Sequence, residues 1–311
     1  MANGMRPDLS EQRILVTGAG GFLGSHLSRR LVSLGMSVHG TTRSARASGT
    51  DGLEWWHTTL HNPAEVKKLL RRVMPDVIVH LSGHVTAGPT VDLVLPTFQS
   101  LLADTVNLLT GVVESDCGRV VLVGSLTEPQ VGGAPDRLIP GSPYVAAKWA
   151  ATAYGQMFHA LYDTPVVIAR LSMTYGPGQD QQKLIPYVVR SLLRGESPRL
   201  SDGRLLADWT YIDDMVDGLL RSALIPNLEG ETFDLGSGVL TSVREVVRQI
   251  IQLLDTPLEP EWGALPDRPD EYVRAANAAR TEELLHWKAG TSLKSGLEKT
   301  IEALRKSYGY A

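Results

Sequence analysis

The sequence predicts an α/β fold built on a doubly wound parallel sheet, followed by a smaller carboxyl-terminal domain. Short, almost wholly apolar segments alternate with longer segments of helical periodicity through the first half of the chain. This pattern is typical of a parallel sheet that is covered by helices on both faces. After Leu171 the alternation stops, and prolines divide the chain into shorter pieces. A chain of 311 residues is long enough for both domains.

The alternating segments give the expected elements of the first domain in chain order. The expected strands are Arg13–Thr17, Ser37–Thr41, Val77–Leu81, Val120–Gly124 and Pro165–Leu171, and the expected helices are Gly21–Leu34, Ala64–Val73, Thr97–Ser115 and Tyr144–Tyr162. We expect residues 1–12 to form a flexible tail without a signal peptide. Residues 13–172, with a strand and helix at about 209–224, should form the first domain, and 173–208 with 225–311 the second.

Composition limits the classes of partner. The net charge of −4 gives no reason to expect nucleic acid or an acidic membrane surface. No apolar run is long enough to span a bilayer. Cys117 is the single cysteine, so an intrachain disulfide is excluded and a reducing, cytoplasmic location is expected. The histidines do not show the spacing of metal ligands, so no metal site is predicted.

A glycine-rich turn, VTGAGGFLGSH, follows the first expected strand and opens the first expected helix. Its spacing places Gly18, Gly21 and Gly24 where a backbone must approach a ligand closely. The amide groups at the start of a helix bind a pyrophosphate. The turn therefore predicts a Rossmann-like dinucleotide site that includes Phe22 and Leu23, although a purely structural glycine turn is the alternative.

The end of the second expected strand bears on the choice of cofactor. An acidic residue there would bind a ribose 2′-hydroxyl. The sequence instead has Arg43 and Arg46, which suit a 2′-phosphate. NADP(H) is therefore favoured and NAD(H) remains possible, the alternative being that both arginines are ordinary loop residues.

A tyrosine and a lysine share one face of the last expected helix of this domain. Tyr144 and Lys148 are separated by four residues, and a nearby cation favours the phenolate form. Upstream, a buried strand ends at Ser125, which places a hydroxyl at the ligand-binding edge of the sheet. The glycine turn, the serine, the tyrosine and the lysine in this order are far more specific than any one of them.

Over nearly its whole length the chain resembles the extended short-chain dehydrogenase/reductases, which include epimerases, dehydratases and 4-ketoreductases of nucleotide sugars. The segments that carry the resemblance are TGAGGFLGSHL, PDVIVHLSG, VLVGS, YVAAK, ARLSMTYGPGQ, LIPYVVRSLLRGE, DWTYIDDMVDGLL and FDLGSG. The resemblance implies that Tyr144 is the catalytic acid and base, that Lys148 binds the nicotinamide ribose and lowers the tyrosine pKa, and that Ser125 holds the substrate oxygen. It also implies a cofactor contact at Leu81.

Departures from the family pattern narrow the expected reaction. The resemblance predicts an Asp-Glu pair after Ser125 in the dehydratases, but this chain has Leu126 and Thr127. Dehydration is therefore not expected. Ala207 stands where the family has a pyrophosphate-binding arginine, which opens the possibility of a substrate that is not a nucleotide. The residues expected at the substrate are His84, Ser125, Thr127, Met173, Arg204 and Arg268.

Three functions remain open at this stage. The first is an NADPH-dependent reductase of a 4-keto sugar nucleotide, in which Tyr144 donates the proton. The alternative is an NDP-sugar 4-epimerase with a retained cofactor, and the third is a non-catalytic binding protein. A homodimer is expected through the helices Thr97–Ser115 and Tyr144–Tyr162, unless their apolar faces belong to the core of one subunit.

Overall fold

The computed structural model describes residues 12–43, 52–86, 88–129, 139–267 and 273–309. Residues 1–11 of the expected tail 1–12 and two of the expected site residues, Arg46 and Arg268, lie outside these ranges. In the described ranges no helix is both long enough and apolar enough to cross a membrane.

Within the described ranges, ten strands form two sheets. The strands are β1 (Arg13–Thr17), β2 (Ser37–Thr42), β3 (Glu54–His57), β4 (Val77–His80), β5 (Arg119–Ser125), β6 (Val166–Leu171), β7 (Met173–Tyr175), β8 (Leu206–Tyr211), β9 (Thr232–Leu235) and β10 (Leu240–Ser242). The larger, parallel sheet has the order β3-β2-β1-β4-β5-β6-β9, and the smaller has the order β10-β8-β7.

Helices cover the larger sheet and complete the second part of the chain. They are α1 (Phe22–Ser33), α2 (Pro63–Val73), α3 (Val94–Thr97), α4 (Asp104–Val112), α5 (Pro143–Tyr162), α6 (Leu184–Leu193), α7 (Ile212–Leu224), α8 (Val243–Leu254), α9 (Ala278–Leu285) and α10 (Leu293–Tyr308). The strands β1, β4 and β5 are almost wholly buried, as a sheet covered on both faces requires. The predicted Rossmann-like fold is therefore confirmed.

The sheet brings the expected ligand-binding residues to one edge. The strand order reverses between β1 and β4, where Thr17 is in register with His80. Ligands of open parallel sheets bind at such a reversal, beyond the carboxyl ends of the strands. The next residues, Gly18 and Leu81, follow these two strands directly, and Ser125 ends the neighbouring β5.

In the first part of the chain, up to β6, two elements differ from their prediction. The expected single helix Thr97–Ser115 is interrupted by a π-helical turn at Phe98–Ala103, between α3 and α4. Strand β3 (sequence EWWH) was missed, because its four residues show no apolar run that would announce a buried strand.

Contacts divide the chain into two units. The first holds the described residues up to Arg170 together with Leu219–Phe233, and the second holds Leu171–Gly218 together with the described residues from Asp234 onward. The strand and helix expected at about 209–224 do exist as β8 and α7, but β8 belongs to the second unit. Only the end of α7 lies in the first unit, because its last carbonyl groups bind Arg119 there.

Candidate active site

The glycine turn between β1 and α1 is a backbone cradle. Gly18 has a φ of +70°, and a Cβ atom on it would lie 2.9 Å from the Ser82 nitrogen. A Cβ atom on Gly24 would lie 2.1 Å from the Gly18 carbonyl oxygen. Helix α1 begins after Gly21 without a side-chain cap. Its first amide groups are thus presented by bare backbone, which fits the pyrophosphate of a dinucleotide.

The residues next to the turn complete this edge. Phe22 and Leu23 open α1, and the Leu81 nitrogen donates to the Thr17 carbonyl oxygen over 3.2 Å. Arg43 follows β2, and its side chain is exposed while His57 Nε2 lies 3.0 Å from its carbonyl oxygen. The main chain of Arg43 is therefore held in place at the strand end, where a ribose would bind.

The three predicted catalytic side chains come together at the end of β5. The Ser125 hydroxyl hydrogen-bonds the Tyr144 phenol and lies 2.8 Å from Thr127 Oγ1. Tyr144 lies in the first turn of α5, whose start is capped by the Ser142 hydroxyl. Lys148 follows one turn later and donates from Nζ to the Val123 carbonyl oxygen over 2.6 Å.

Burial controls the proton affinities of this set. Burial raises the pKa of Tyr144 to about 12, helped by the Glu128 charge and opposed by the Ser125 hydrogen bond. Burial lowers the pKa of Lys148 to about 8, opposed by the Glu128 carboxylate. The resemblance implies a lowered tyrosine pKa, whereas the structure shows a raised one, because burial disfavours the phenolate.

Sequence reasoning missed one acidic side chain of the site, Glu128. It is 1% exposed, and its Oε1 accepts from the Ser125 nitrogen over 2.6 Å. Its Oε2 accepts from the Thr152 hydroxyl over 2.9 Å. The available signal was an acidic residue three positions after a strand-ending serine, but spacing alone does not tell a buried turn from an exposed one.

The expected substrate residues lie in two different units. In the first unit His84 is exposed, and its nitrogen donates to Ser100 Oγ over 3.1 Å. In the second unit Met173 is exposed on β7, and the exposed Arg204 lies 3.2 Å from Asp202. Their roles at a substrate stay predictions.

A glycine cradle at the reversal of a parallel sheet, with serine, tyrosine and lysine beside it, defines a nicotinamide-dependent enzyme of the short-chain type. A family model described as the NAD dependent epimerase/dehydratase family matches residues 14–236. The chain belongs to this family, and it is an enzyme of the extended short-chain dehydrogenase/reductase type.

Curated relatives match the chain over almost its whole length. The UDP-glucose 4-epimerase of Mycolicibacterium smegmatis is 31% identical and covers 94% of this chain and 98% of its own. The dTDP-glucose 4,6-dehydratase of Xanthomonas campestris is 27% identical and covers 93% of this chain and 92% of its own.

Solved structures are similar over the same extent. MoeE5 in complex with UDP-glucose and NAD has a TM-score of 0.82 and 29% identity, covering 95% of this chain and 99% of its own. The UDP-glucose 4-epimerase of Thermotoga maritima has a TM-score of 0.85 and 22% identity, covering 96% of this chain and 100% of its own. At 22% identity, the similarity to the Thermotoga maritima enzyme concerns the fold alone.

Proposed function

We propose that the chain is a 4-epimerase of a nucleotide sugar with a retained nicotinamide cofactor. The observation that carries this proposal is the hydrogen bond between the Ser125 hydroxyl and the Tyr144 phenol, with Lys148 one helical turn away. These residues lie at the same edge of the sheet as the glycine cradle. The relation to a mycobacterial UDP-glucose 4-epimerase over 94% of the chain supports the same reading. This choice reverses the order of the two enzyme hypotheses that the sequence suggested.

The residues of the site have distinct tasks in such a reaction. A bound nicotinamide cofactor supplies reversible hydride exchange at the sugar C4 carbon. As the phenolate, Tyr144 would accept the proton of the C4 hydroxyl, and the resulting phenol would return that proton to the C4 oxygen after the 4-keto sugar has presented its other face. The Ser125 hydroxyl binds that oxygen, and the Lys148 ammonium stabilises the charge that develops on the phenol.

Dehydration fits the site less well, since it needs an acid and a base that reach the sugar. Leu126 is buried and Thr127 carries no charge. Both carboxylate oxygens of Glu128 accept hydrogen bonds, one from the Ser125 nitrogen and the other from the Thr152 hydroxyl. These contacts leave the carboxylate facing the protein interior rather than a ligand.

A 4-ketoreductase with NADP(H) is the second candidate, and the end of β2 favours it. Thr42 stands where an acid would bind a ribose hydroxyl, and the exposed Arg43 follows it. A charge-assisted bond from Arg43 to a 2′-phosphate would contribute roughly 1.5–3 kcal/mol. Titration of NADPH and NADH against the wild type and Arg43→Ala tests this point, and equal affinities of the wild type for both would remove the support.

One assay separates the two candidates. The purified chain is incubated with UDP-glucose or UDP-galactose and NAD(H), and in parallel with 4-keto nucleotide sugars and NADPH. A 4-epimerase interconverts the first pair without a net change of absorbance near ~340 nm, whereas a reductase consumes NADPH in proportion to product. Cofactor binding without either reaction, across UDP-, dTDP- and GDP-sugars, would favour the non-catalytic binding protein.

We also propose a homodimer in the cytoplasm. On the first unit, a row of apolar side chains is exposed on neighbouring elements: Leu95 of α3, Phe98 of the π-helical turn and Tyr154 of α5. Exposed apolar patches of this kind mark interaction sites. Leu101, Leu108 and Ala147, which lie on the two helices that the sequence predicts at the interface, are buried within the chain itself.

A further inference from the structure

A buried carboxylate joins the two elements that carry the catalytic set. Glu128 follows β5 by three residues, and its own nitrogen donates to the Ser125 carbonyl oxygen over 3.1 Å. One carboxylate oxygen binds the Ser125 nitrogen, and the other binds the hydroxyl of Thr152 on α5. The same α5 carries Tyr144 and Lys148. The side chain therefore ties the serine main chain to the helix of the other two residues.

The residue before Ser125 makes room for this carboxylate. A Cβ atom on Gly124 would lie 2.7 Å from Glu128 Oε1 and 2.9 Å from Arg170 Cγ. It would also lie 3.2 Å from Thr152 Oγ1. The glycine at this position is thus required by the packing of the buried acid and its neighbours.

Charged and titratable groups face the carboxylate from both packed elements. Lys148 and Tyr144 of α5 and Arg170 of β6 interact electrostatically with it. Burial and the charge of Lys148 lower the pKa of His80 on β4. Burial raises the pKa of Glu128, and Ser125, Thr152, Lys148 and Arg170 all oppose that rise.

We propose that Glu128 is a positioning residue of the catalytic set: its carboxylate, bonded to the Ser125 nitrogen and to the Thr152 hydroxyl, fixes the main chain of Ser125 against the helix that carries Lys148, and its negative charge acts on the Lys148 ammonium. The inference rests on the proposed function for its catalytic meaning, but its electrostatic core concerns Glu128 and Lys148 alone. A buried acid that only filled space would leave the proton affinity of Lys148 unchanged.

Glu128→Gln removes the charge and preserves the shape. The amide oxygen accepts from the Ser125 nitrogen, and the amide nitrogen donates to the Thr152 hydroxyl, which accepts in place of donating. Thr152→Val is the matched control, because it deletes one hydrogen bond of Glu128 and keeps the charge. Both variants retain Ser125, Tyr144 and Lys148.

The measurement is the titration of the Lys148 side chain by NMR with isotope-labelled lysine, assigned with Lys148→Arg. In Glu128→Gln the midpoint should fall by roughly one pH unit, since the ammonium loses a neighbouring negative charge. In Thr152→Val it should stay at the wild-type value. The pH profile of turnover should move to lower pH in Glu128→Gln only, because the loss of the charge also favours the Tyr144 phenolate.

A reciprocal experiment protects the test from a Glu128→Gln variant that fails to fold. Coupling between two titrating groups is mutual, so Lys148→Met should raise the carboxyl midpoint of Glu128 by a similar amount. Unchanged midpoints would overturn the proposal, as would a wild-type Glu128 that is protonated at neutral pH. Absence of turnover on every nucleotide sugar would count against the proposed function only, because the NMR titrations need no substrate.

Discussion

At the scale of single residues, burial decides how the catalytic set can handle protons. Burial holds the phenol of Tyr144 in its neutral, proton-donating form, with a pKa raised to about 12. The oxidation half of the proposed epimerase reaction therefore depends on the Ser125 hydrogen bond and the Lys148 charge to stabilise the phenolate. Burial lowers the pKa of Lys148 to about 8, so the side chain loses its positive charge only slightly above neutral pH. The chemistry therefore depends on neighbours that the catalytic spacing does not reveal.

Removal of the Tyr144 hydroxyl should separate chemistry from folding. Tyr144→Phe keeps the ring, and the Ser125 hydroxyl keeps its partner Thr127. Turnover should fall by ~10²–10⁴-fold, the usual contribution of a general acid or base. Cofactor affinity and thermal stability should be retained.

The exposed Tyr162 at the end of the same helix provides the control for that experiment. Tyr162→Phe deletes the same atom far from Ser125 and should leave turnover unchanged. Steady-state kinetics on the substrate that the nucleotide-sugar assay identifies, together with cofactor titration, checks both variants. Full activity of Tyr144→Phe would show that the tyrosine is not the proton donor.

His80 should make stability depend on pH. It is buried between the hydroxyls of Thr17, at 2.8 Å, and Thr105, at 3.0 Å. Burial and then the Lys148 charge lower its pKa from 6.5 to about 3. The unfolded chain binds this proton below pH ~6.5 while the folded chain does not, so stability is lost as the pH falls from ~6.5 towards ~3.

The expected loss for His80 is about 2 kcal/mol near pH 5 relative to neutral pH. Urea unfolding of the wild type and His80→Gln near pH ~7.5 and pH ~5 measures it, because the variant lacks this titration. The difference between the two pH values should be smaller in His80→Gln than in the wild type. His57→Gln, at an exposed position, serves as control, and equal pH dependence in all three proteins contradicts the assignment.

The site was predictable from the sequence to the extent that it follows from order along the chain. Gly18, Ser125, Tyr144 and Lys148 were found from their spacing and the expected strand ends. Glu128 was not found, because its importance depends on which way one turn points its side chain. Hydrogen bonds across 24 residues, such as that from Thr152 to Glu128, leave no periodic trace in the sequence.

At the scale of elements, apolar periodicity predicted the regular parts and failed at the irregular ones. Strand β1 was predicted with its observed bounds, and α5 begins one residue earlier than expected. The π-helical turn at Phe98–Ala103 was not foreseen, because a local change of hydrogen bonding alters no residue pattern. It packs below the loop after β4, where a Cβ atom on Gly83 would meet Leu101 Cδ2 at 2.1 Å.

A buried arginine fastens the end of α7 to the start of β5. Arg119 Nε donates to Glu229 Oε1 over 2.9 Å, and Nη1 donates to the carbonyl oxygens of Ser222, Ala223 and Ile225. Two of these carbonyl groups belong to the last turn of α7, and the third belongs to the residue that follows the helix. The contact explains why this end of the helix belongs to the first unit.

Arg119→Met should therefore destabilise the chain by about 1–3 kcal/mol, because carbonyl groups bonded by the buried guanidinium lose their donor, whereas the partly exposed Glu229 carboxylate becomes hydrated. Urea unfolding gives the free energy, with the whole transition followed by circular dichroism. Lys288→Met breaks an exposed ion pair with Glu282 and should change the free energy of unfolding little. Equal effects of both substitutions would mean that the Arg119 contacts contribute nothing beyond those of a surface pair.

At the scale of the whole molecule, the chain keeps the fold of its family, while its sequence departs from the family pattern at several positions that we predict to contact the substrate. Relatives named as epimerases and dehydratases align over more than nine-tenths of it. Fold and family therefore identify the class of reaction, whereas the substrate depends on individual side chains, among which Met173 and Arg204 stay predicted contacts. The same reasoning applies to assembly, because the apolar residues of the predicted helix pair divide into buried and exposed ones.

The exposed residues give the prediction for assembly. Leu95 is 75% exposed, Phe98 is 50% exposed and Tyr154 is 41% exposed, all on the first unit. If they form the interface of a homodimer, Phe98→Glu places an unpaired charge in an apolar contact and should convert the dimer to a monomer. Size-exclusion chromatography with light scattering measures the mass, and Val239→Glu, at a 62% exposed residue of the second unit, should leave it dimeric. Because Phe98 is already exposed in the single chain, Phe98→Glu should retain the thermal stability of the subunit, so that a loss of mass reports assembly rather than unfolding. A wild-type chain that stays monomeric at high concentration would show that these side chains do not form a dimer interface.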